Sequence, residues 1–419
     1  MITSALVTLL ASQDPLATAL EEAIQKSSVI QGATIGIFVA EADGQEIYAH
    51  EADRRMIPAS NQKLLSAAFA VESLGLDYAP ITRIWEEPTR IVIAAPGDPS
   101  MTLAKILEIS KKLNSKTKPV FVIPNYAPGL PDSWEQDDLP NRFAAPVHAF
   151  SFDQGAFALQ FDGKSVTPLP REFGIQVREV PSDSFRVEYD YLGQIIRIFG
   201  MPTGAARNLD TLAFRHPHLV AARFLGTSYQ EGISLPTRPA DYTIQGDRIE
   251  KMLASCLAPS DNNYAEQLML MGASKEGALP KGSEYIRARV QMTNFLTKQV
   301  GINPRDLRVY DGSGLSRHNL VTTRALAKLL IYSQNQKWGA AYEAGMARGG
   351  APGTLRTRLV DSSFRGKTGT LDLVVGLSGF VTTKSGSKKV VSILINHASE
   401  SSAIVRDFAD NLIRKIEQQ

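Results

Sequence analysis

Pro58-Ala59-Ser60-Asn61-Gln62-Lys63 sets a serine and a lysine three positions apart, at the head of the apolar run Leu64-Leu65-Ser66-Ala67-Ala68-Phe69-Ala70-Val71. The run is rich in good helix formers and reads as a buried helix that ends near Ser73, with Gly75 as its stop. On a helix, positions i and i+3 are neighbours, roughly 5–6 Å apart at Cβ, so the Ser60 hydroxyl and the Lys63 amine can share a proton. A serine is a poor nucleophile until a base takes that proton. Lysine can be that base when burial and neighbouring cations depress its pKa. The first turn of a helix also offers free backbone N–H groups and a positive dipole end to developing negative charge. The competing reading of Ser60 is a helix N-cap. The same Ser-x-x-Lys spacing recurs at Ser115/Lys118, in a basic loop, and at Ser385/Lys388, in a hairpin turn. Only Ser60 opens an apolar helix.

The bulk numbers frame this motif. A chain of 419 residues is long for one domain, so two or three units are expected. Apolar residues at 43% and charged residues at 21% describe an ordinary globular protein. A net charge of +2 gives no electrostatic footprint for nucleic acid. The single Cys256 excludes an intramolecular disulfide and a cysteine-based metal cluster. The six histidines lack ligand spacing, and no His-Glu-x-x-His pattern occurs, so no metal or cofactor is implied. No apolar run reaches the ~20 residues of a membrane span. Residues 2–11 have the texture of a signal-peptide core without a basic n-region, and read equally as a truncated leader or a frayed terminus.

Along the chain, Pro15, Leu16, Leu20 and Ile24 suggest a first amphipathic helix, followed by a hairpin over 33–40 and 46–50. After Tyr78 the texture changes to short strands, prolines and turn signals, with strands expected at 91–94, 121–123, 157–161, 173–180, 185–191 and 194–200. One helical stretch in this block runs from Pro217 to about Gln230. From about Tyr242 helices return, at 247–257, 264–273, 283–300 and 322–333. Residues 366–381 and 388–396 read as two strands. A last helix over 401–417 carries Ile404, Val405, Phe408, Leu412, Ile413 and Ile416 on one face. Helix and strand at both ends imply one α/β domain built from 14–80 and 241–419, around a β-rich insert at 81–240.

Two further stretches bear on Ser60. Ser260-Asp261-Asn262 lies in a turn between two helices, where a hydroxyl can relay a proton and an amide can hold a substrate carbonyl or a lysine. Its alternative role is an N-cap for the next helix. Lys367-Thr368-Gly369-Thr370 opens a strand. A lysine and a hydroxyl on an edge strand can bind a carboxylate, Gly369 can let a substrate backbone approach, and the substrate can add as an extra strand. The Thr370 N–H can pair with that of Ser60 as an oxyanion hole, where one donor is worth about 2.7–4 kcal/mol in the transition state.

Taken in order, Ser-x-x-Lys, Ser-Asp-Asn and Lys-Thr-Gly form the trio of active-site serine β-lactamases and penicillin-binding proteins. The stretch between Lys63 and Ser260 is too long for a class A β-lactamase. The chain resembles the class C low-molecular-mass penicillin-binding proteins, the D-alanyl-D-alanine carboxypeptidase/endopeptidase family, which carry extra domains between the first two motifs. Asp311-Gly312-Ser313-Gly314-Leu315-Ser316-Arg317, Gly353-Thr354-Leu355-Arg356, Leu377-Ser378-Gly379-Phe380, Gly97-Asp98-Pro99 and the segment from Trp134 to Pro146 are also similar to that family. The resemblance covers most of 33–400 and is thinnest over 160–210. The insert is shorter than in the longest relatives.

The resemblance implies an α/β (α+β) β-lactamase/transpeptidase-like fold, an antiparallel sheet flanked by helices. It implies that Ser60 attacks the bond between two terminal D-alanines of a peptidoglycan stem peptide, with Lys63 as base and Ser260 relaying a proton. Asn262, Lys367, Thr368, Gly369 and Thr370 would hold substrate. An insert aspartate, Asp138 or its rival Asp137, would meet the substrate's side-chain amine. β-Lactam antibiotics would act as covalent inhibitors, and the location would be extracytoplasmic, in the periplasm or cell envelope. The alternatives are a β-lactamase or esterase on the same scaffold, and a non-catalytic wall-binding protein.

Overall fold

The computed structural model describes residues 15–171, 174–232 and 234–419. The leader-like residues 2–11 lie outside that set, as does Phe173 at the start of one expected strand.

The organising layer is a six-stranded antiparallel sheet. Its spatial order is Ala347–Arg348, Arg365–Leu371, Val374–Thr382, Lys388–Asn396, Thr34–Glu41 and Glu46–His50. Both ends of the chain therefore meet in one sheet, with Thr34 opposite Asn396 and Glu41 opposite Lys389. Successive side chains of a strand point to opposite faces, and here both faces are covered. Ile37 and Val39 join Leu377, Val391, Ile393 and Ile395 under helices Pro15–Lys26 and Ser402–Glu417. Phe38 and Ala40 join Val390 and Leu394 on the other face, against the helices that hold Leu65, Leu268 and Leu326. Near-continuous apolar strands such as Lys388–Asn396 are the expected product of two-sided burial.

The interior block makes three smaller sheets. The five-stranded one runs Tyr229–Glu231, Val120–Pro124, Ile91–Ala95, Ile81–Glu86, Tyr242–Gln245. Its last strand pairs with Ile81–Glu86, so this sheet reaches past residue 240. Two three-stranded sheets fill residues 156–213.

Four details differ from the sequence reading. Residues 366–381 are two strands, because the chain reverses at Asp372-Leu373, with Leu373 at φ 59°. The helix from Pro217 ends at Arg223, and the chain then forms the strand Tyr229–Glu231, parallel to Val120–Val122. A helix at Leu103–Lys112, not expected in a β-rich block, links the parallel strands Ile91–Ala95 and Val120–Pro124. Parallel neighbours require such a crossover. Ile404 is 43% exposed, because the apolar stripe of its helix runs through Val405, Phe408, Leu412, Ile413 and Ile416 instead.

Candidate active site

Ser60 lies in a single 3-10 turn, Ala59–Asn61, that feeds directly into helix Gln62–Leu74. The turn starts with Ala59 in the left-handed region, at φ 46°. The Ser60 hydroxyl is not a cap. It lies 2.8 Å from Lys63 Nζ. Lys63 is 0% exposed, and its amine has two other neighbours, Asn262 Oδ1 at 2.6 Å and the Ser313 carbonyl at 2.8 Å. Both of those atoms only accept hydrogen bonds. A neutral amine has two N–H groups and one lone pair. If the two acceptors take the two hydrogens, the lone pair is left facing Ser60. Burial pushes the Lys63 ammonium below the usual lysine range, against the opposing pull of Asp311, Glu266 and Asp261.

The Asn262 amide has a fixed orientation. Its Nδ2 donates to the Phe143 carbonyl at 2.8 Å, which turns Oδ1 toward Lys63. Helix Asn262–Ala273 is capped by Asp261, whose Oδ1 accepts from Tyr264 N at 3.0 Å. The cap is therefore Asp261 and not Ser260. This leaves the Ser260 hydroxyl free to face Lys367, whose Nζ donates to it at 2.8 Å. Ser260 itself sits at φ 66°, a strained conformation for a residue with a side chain. Asp261 also receives Arg142 at 2.6 Å, so the interior block is tied to the Ser-Asp-Asn turn through Arg142 and Phe143.

Lys367, Thr368 and Gly369 lie on strand Arg365–Leu371, and Thr370 is exposed at its far end. One edge pairs fully with Val374–Thr382, while the other meets only Ala347–Arg348, opposite Gly366 and Arg365. From Lys367 to Leu371 that second edge has no partner strand among the described residues. Burial, then the Lys63 charge, pushes Lys367 well below the usual lysine range. Thr368 Oγ1 donates to Thr354 Oγ1 at 2.8 Å.

Gly369 departs from its expected reason. A Cβ there would meet Asn61 Nδ2 at 2.7 Å and the Pro58 carbonyl at 2.9 Å. Its cross-strand partner Gly376 would meet the same Asn61 nitrogen at 2.3 Å. The glycine pair is a notch in the sheet that receives the Ser60 turn. The space on that face is filled by the protein, while the strand edge at 367–371 stays unpaired among the described residues.

Asp138 is half-buried in the loop that packs Trp134 and Leu139 near Leu315 and Leu371. Its carboxylate has no hydrogen bond to the three motifs among the described residues. Burial, then Asp137 and Glu135, holds its pKa above the usual range. Asp137 is exposed.

Ser313, Thr354, Asn61 and Arg142 are contacts to which sequence reasoning gave no role. Ser313 and Thr354 lie in stretches already similar to the family, and that similarity was their only signal. No group of three or more His, Cys, Asp or Glu side chains among the described residues could hold a metal.

Comparison with known proteins identifies the family. The D-Ala-D-Ala carboxypeptidase 3 (S13) family pattern matches residues 16–176 and 239–416. The chain is 25% identical to a D-alanyl-D-alanine carboxypeptidase of Actinomadura sp. over 92% of its own length and 82% of that protein. It is 24% identical to D-alanyl-D-alanine carboxypeptidase DacB of Haemophilus influenzae, over 87% of this chain and 86% of that one. The crystal structure of penicillin binding protein 4 from Haemophilus influenzae superposes with a TM-score of 0.77 at 22% identity, covering 96% and 99% of the two chains. The unmatched gap, 177–238, overlaps the region where the resemblance is thinnest. With both motif-bearing segments inside the match, the chain belongs to the D-Ala-D-Ala carboxypeptidase 3 (S13) family.

Proposed function

We propose that this serine-type D-Ala-D-Ala carboxypeptidase/endopeptidase works through a Ser60 acyl-enzyme. The single observation that supports it is the set of three neighbours around Lys63 Nζ, which directs a lone pair at the Ser60 hydroxyl. Lys63 takes the Ser60 proton as Oγ attacks the penultimate D-alanine carbonyl. The amide N–H groups of Ser60 and Thr370 stabilise the oxyanion. Ser260, in contact with Lys367, relays to the leaving amine the proton that Lys63 took from Ser60, so the Ser260 hydroxyl and the neutral Lys63 amine are restored as the terminal D-alanine departs. Water then attacks the ester and regenerates Ser60. Lys367 and Thr368 attract the substrate carboxylate, while Asn262 positions the peptide. The substrate lies along the unpaired edge at 367–371, as an added strand. Asp138 is proposed to meet an amine on the peptide's side chain.

The working unit is proposed to be 14–80 plus 241–419, with 81–240 as an insert that contributes Phe143 and Arg142 to the rim. No helix among the described residues is long and apolar enough to cross a membrane. The substrate is wall peptide, which places the enzyme outside the cytoplasm. A solved relative, penicillin binding protein 4, is complexed with a β-lactam. A strained lactam should acylate Ser60 here.

The test is product analysis. A stem peptide ending in D-Ala-D-Ala, incubated with the protein, should lose one D-alanine by mass spectrometry, and Ser60→Ala should release none above the blank. Cross-linked wall fragments in the same assay report endopeptidase action. Slow turnover of a penicillin adduct is expected; rapid turnover would favour the β-lactamase reading. Release that survives Ser60→Ala would sink the mechanism.

A further inference from the structure

Helix Asn262–Ala273 buries an acid. Glu266 is 0% exposed and has no lysine, arginine or histidine partner among the described residues. A buried carboxylate is costly unless its oxygens are satisfied. Both oxygens of Glu266 accept backbone N–H groups, from Gly312 at 2.9 Å and from Ser313 at 2.7 Å. A second fully buried acid, Asp311, grips the same loop from its other side. Its Oδ1 accepts from Gly314 N at 2.8 Å, and its Oδ2 from Ser316 N at 2.7 Å and Trp134 Nε1 at 3.0 Å. The loop lies flush on the helix, since a Cβ on Gly312 would meet the Ala265 carbonyl at 2.6 Å.

The consequence lies in one peptide plane. The Ser313 carbonyl and the Gly314 N–H share that plane and point in opposite directions. Asp311 holds the N–H, and Glu266 holds the plane before it. The carbonyl is thereby aimed at Lys63 Nζ, 2.8 Å away. We infer that Glu266 and Asp311 are positioning residues for the general base: they fix the Ser313 carbonyl that orients the Lys63 lone pair, and set two carboxyl groups behind it.

The inference rests on Lys63 being the base. The other titratable groups facing Lys63 are Cys256, Asp261 and Lys367. Burial pushes the Cys256 thiol up to about 12, so it stays neutral. Burial, then Asp311, raises Glu266 to about 7. The clamp therefore loses charge as pH falls through neutrality.

The test is the pH profile of acylation by a fluorescent penicillin. The wild-type rate should fall on the acid side as Lys63 gains its proton. Asp311→Asn removes an anion that favours the protonated amine and should move the acid limb down by about one pH unit, the displacement one nearby charge produces; Glu266→Gln should move it the same way only above neutrality, where Glu266 carries charge. Each should also lower the plateau rate about tenfold, a fraction of the roughly 10²–10⁴-fold a general base contributes. A purely structural role would lower the rate without moving the limb. Wild-type limbs in both variants, or limbs moved upward, overturn the inference. Should neither variant fold, Glu266→Asp decides. It keeps the charge and withdraws the clamp, so the rate should fall with the limb in place and the urea midpoint unchanged, whereas a wild-type rate, or a rate loss matched by a lost midpoint, overturns the inference. A wild-type protein that takes no label at all would instead refute the Ser60/Lys63 reading beneath it.

Discussion

Lys63→Ala should give a folded protein that reacts with penicillin at least ~10³ times more slowly, within the range by which a positioned base accelerates proton transfer. The amine is the only group the described residues place within hydrogen-bond reach of the Ser60 hydroxyl, at 2.8 Å. Its removal leaves the serine at its ordinary, unreactive pKa. It also leaves Asn262 Oδ1 and the Ser313 carbonyl facing a small cavity. That cost is offset in part, because a fully buried amine is itself expensive to desolvate. The fold should therefore survive, as read by near-UV circular dichroism. A labelling time course on a fluorescent-penicillin gel measures the rate. Labelling within a few-fold of wild type would remove Lys63 from the mechanism.

Gly314→Ala should be severely damaging. Gly314 has φ +84°, and a Cβ would land 1.9 Å from the Ala59 carbonyl oxygen and 2.8 Å from Gln62 Cβ. The clash is with buried backbone, next to the nucleophile, and cannot be relieved by rotating a side chain. Overpacking costs typically 1–3 kcal/mol, and a left-handed alanine about 1–2 more. A loss of about 3 kcal/mol or more in urea unfolding is expected, with penicillin labelling lost from whatever folds. A stable, labelled variant would mean that the Ala59–Asn61 turn and the loop at 311–316 are not held as tightly as their contacts imply.

The site was legible where chemistry and local structure coincide. Ser60 and Lys63 are neighbours on one turn, so their spacing carried the contact directly. Ser260 and Lys367 were legible only as members of a known trio, because nothing local says that a helix–helix turn and a remote strand will meet at 2.8 Å. Gly369 was read as room for a substrate backbone, whereas the structure shows that a Cβ there would meet Asn61 and the Pro58 carbonyl. A glycine reports missing volume, and the sequence does not say whether substrate or protein fills it. The role of Asp261 as cap, with Ser260 released, turns on one residue of register that pattern reading does not resolve. In the interior block, proline-rich punctuation suggested strands throughout. It hid helix Leu103–Lys112, whose buried face is only Ile106, Ile109 and Ser110. The outer sheet was clearer, since its strands are long, apolar and buried on both faces. Even there the reversal at Asp372-Leu373 was invisible, because it uses neither glycine nor proline.

The central claim is that one hydroxyl forms a covalent bond to the substrate. Intact-mass spectrometry after incubation with benzylpenicillin tests it most directly, with peptide mapping of the adduct. The wild-type protein should gain one whole molecule of the drug, located on the peptide that contains Ser60, while Ser60→Ala keeps its native mass. An adduct that persists in Ser60→Ala, or that maps to any other residue, would contradict the account.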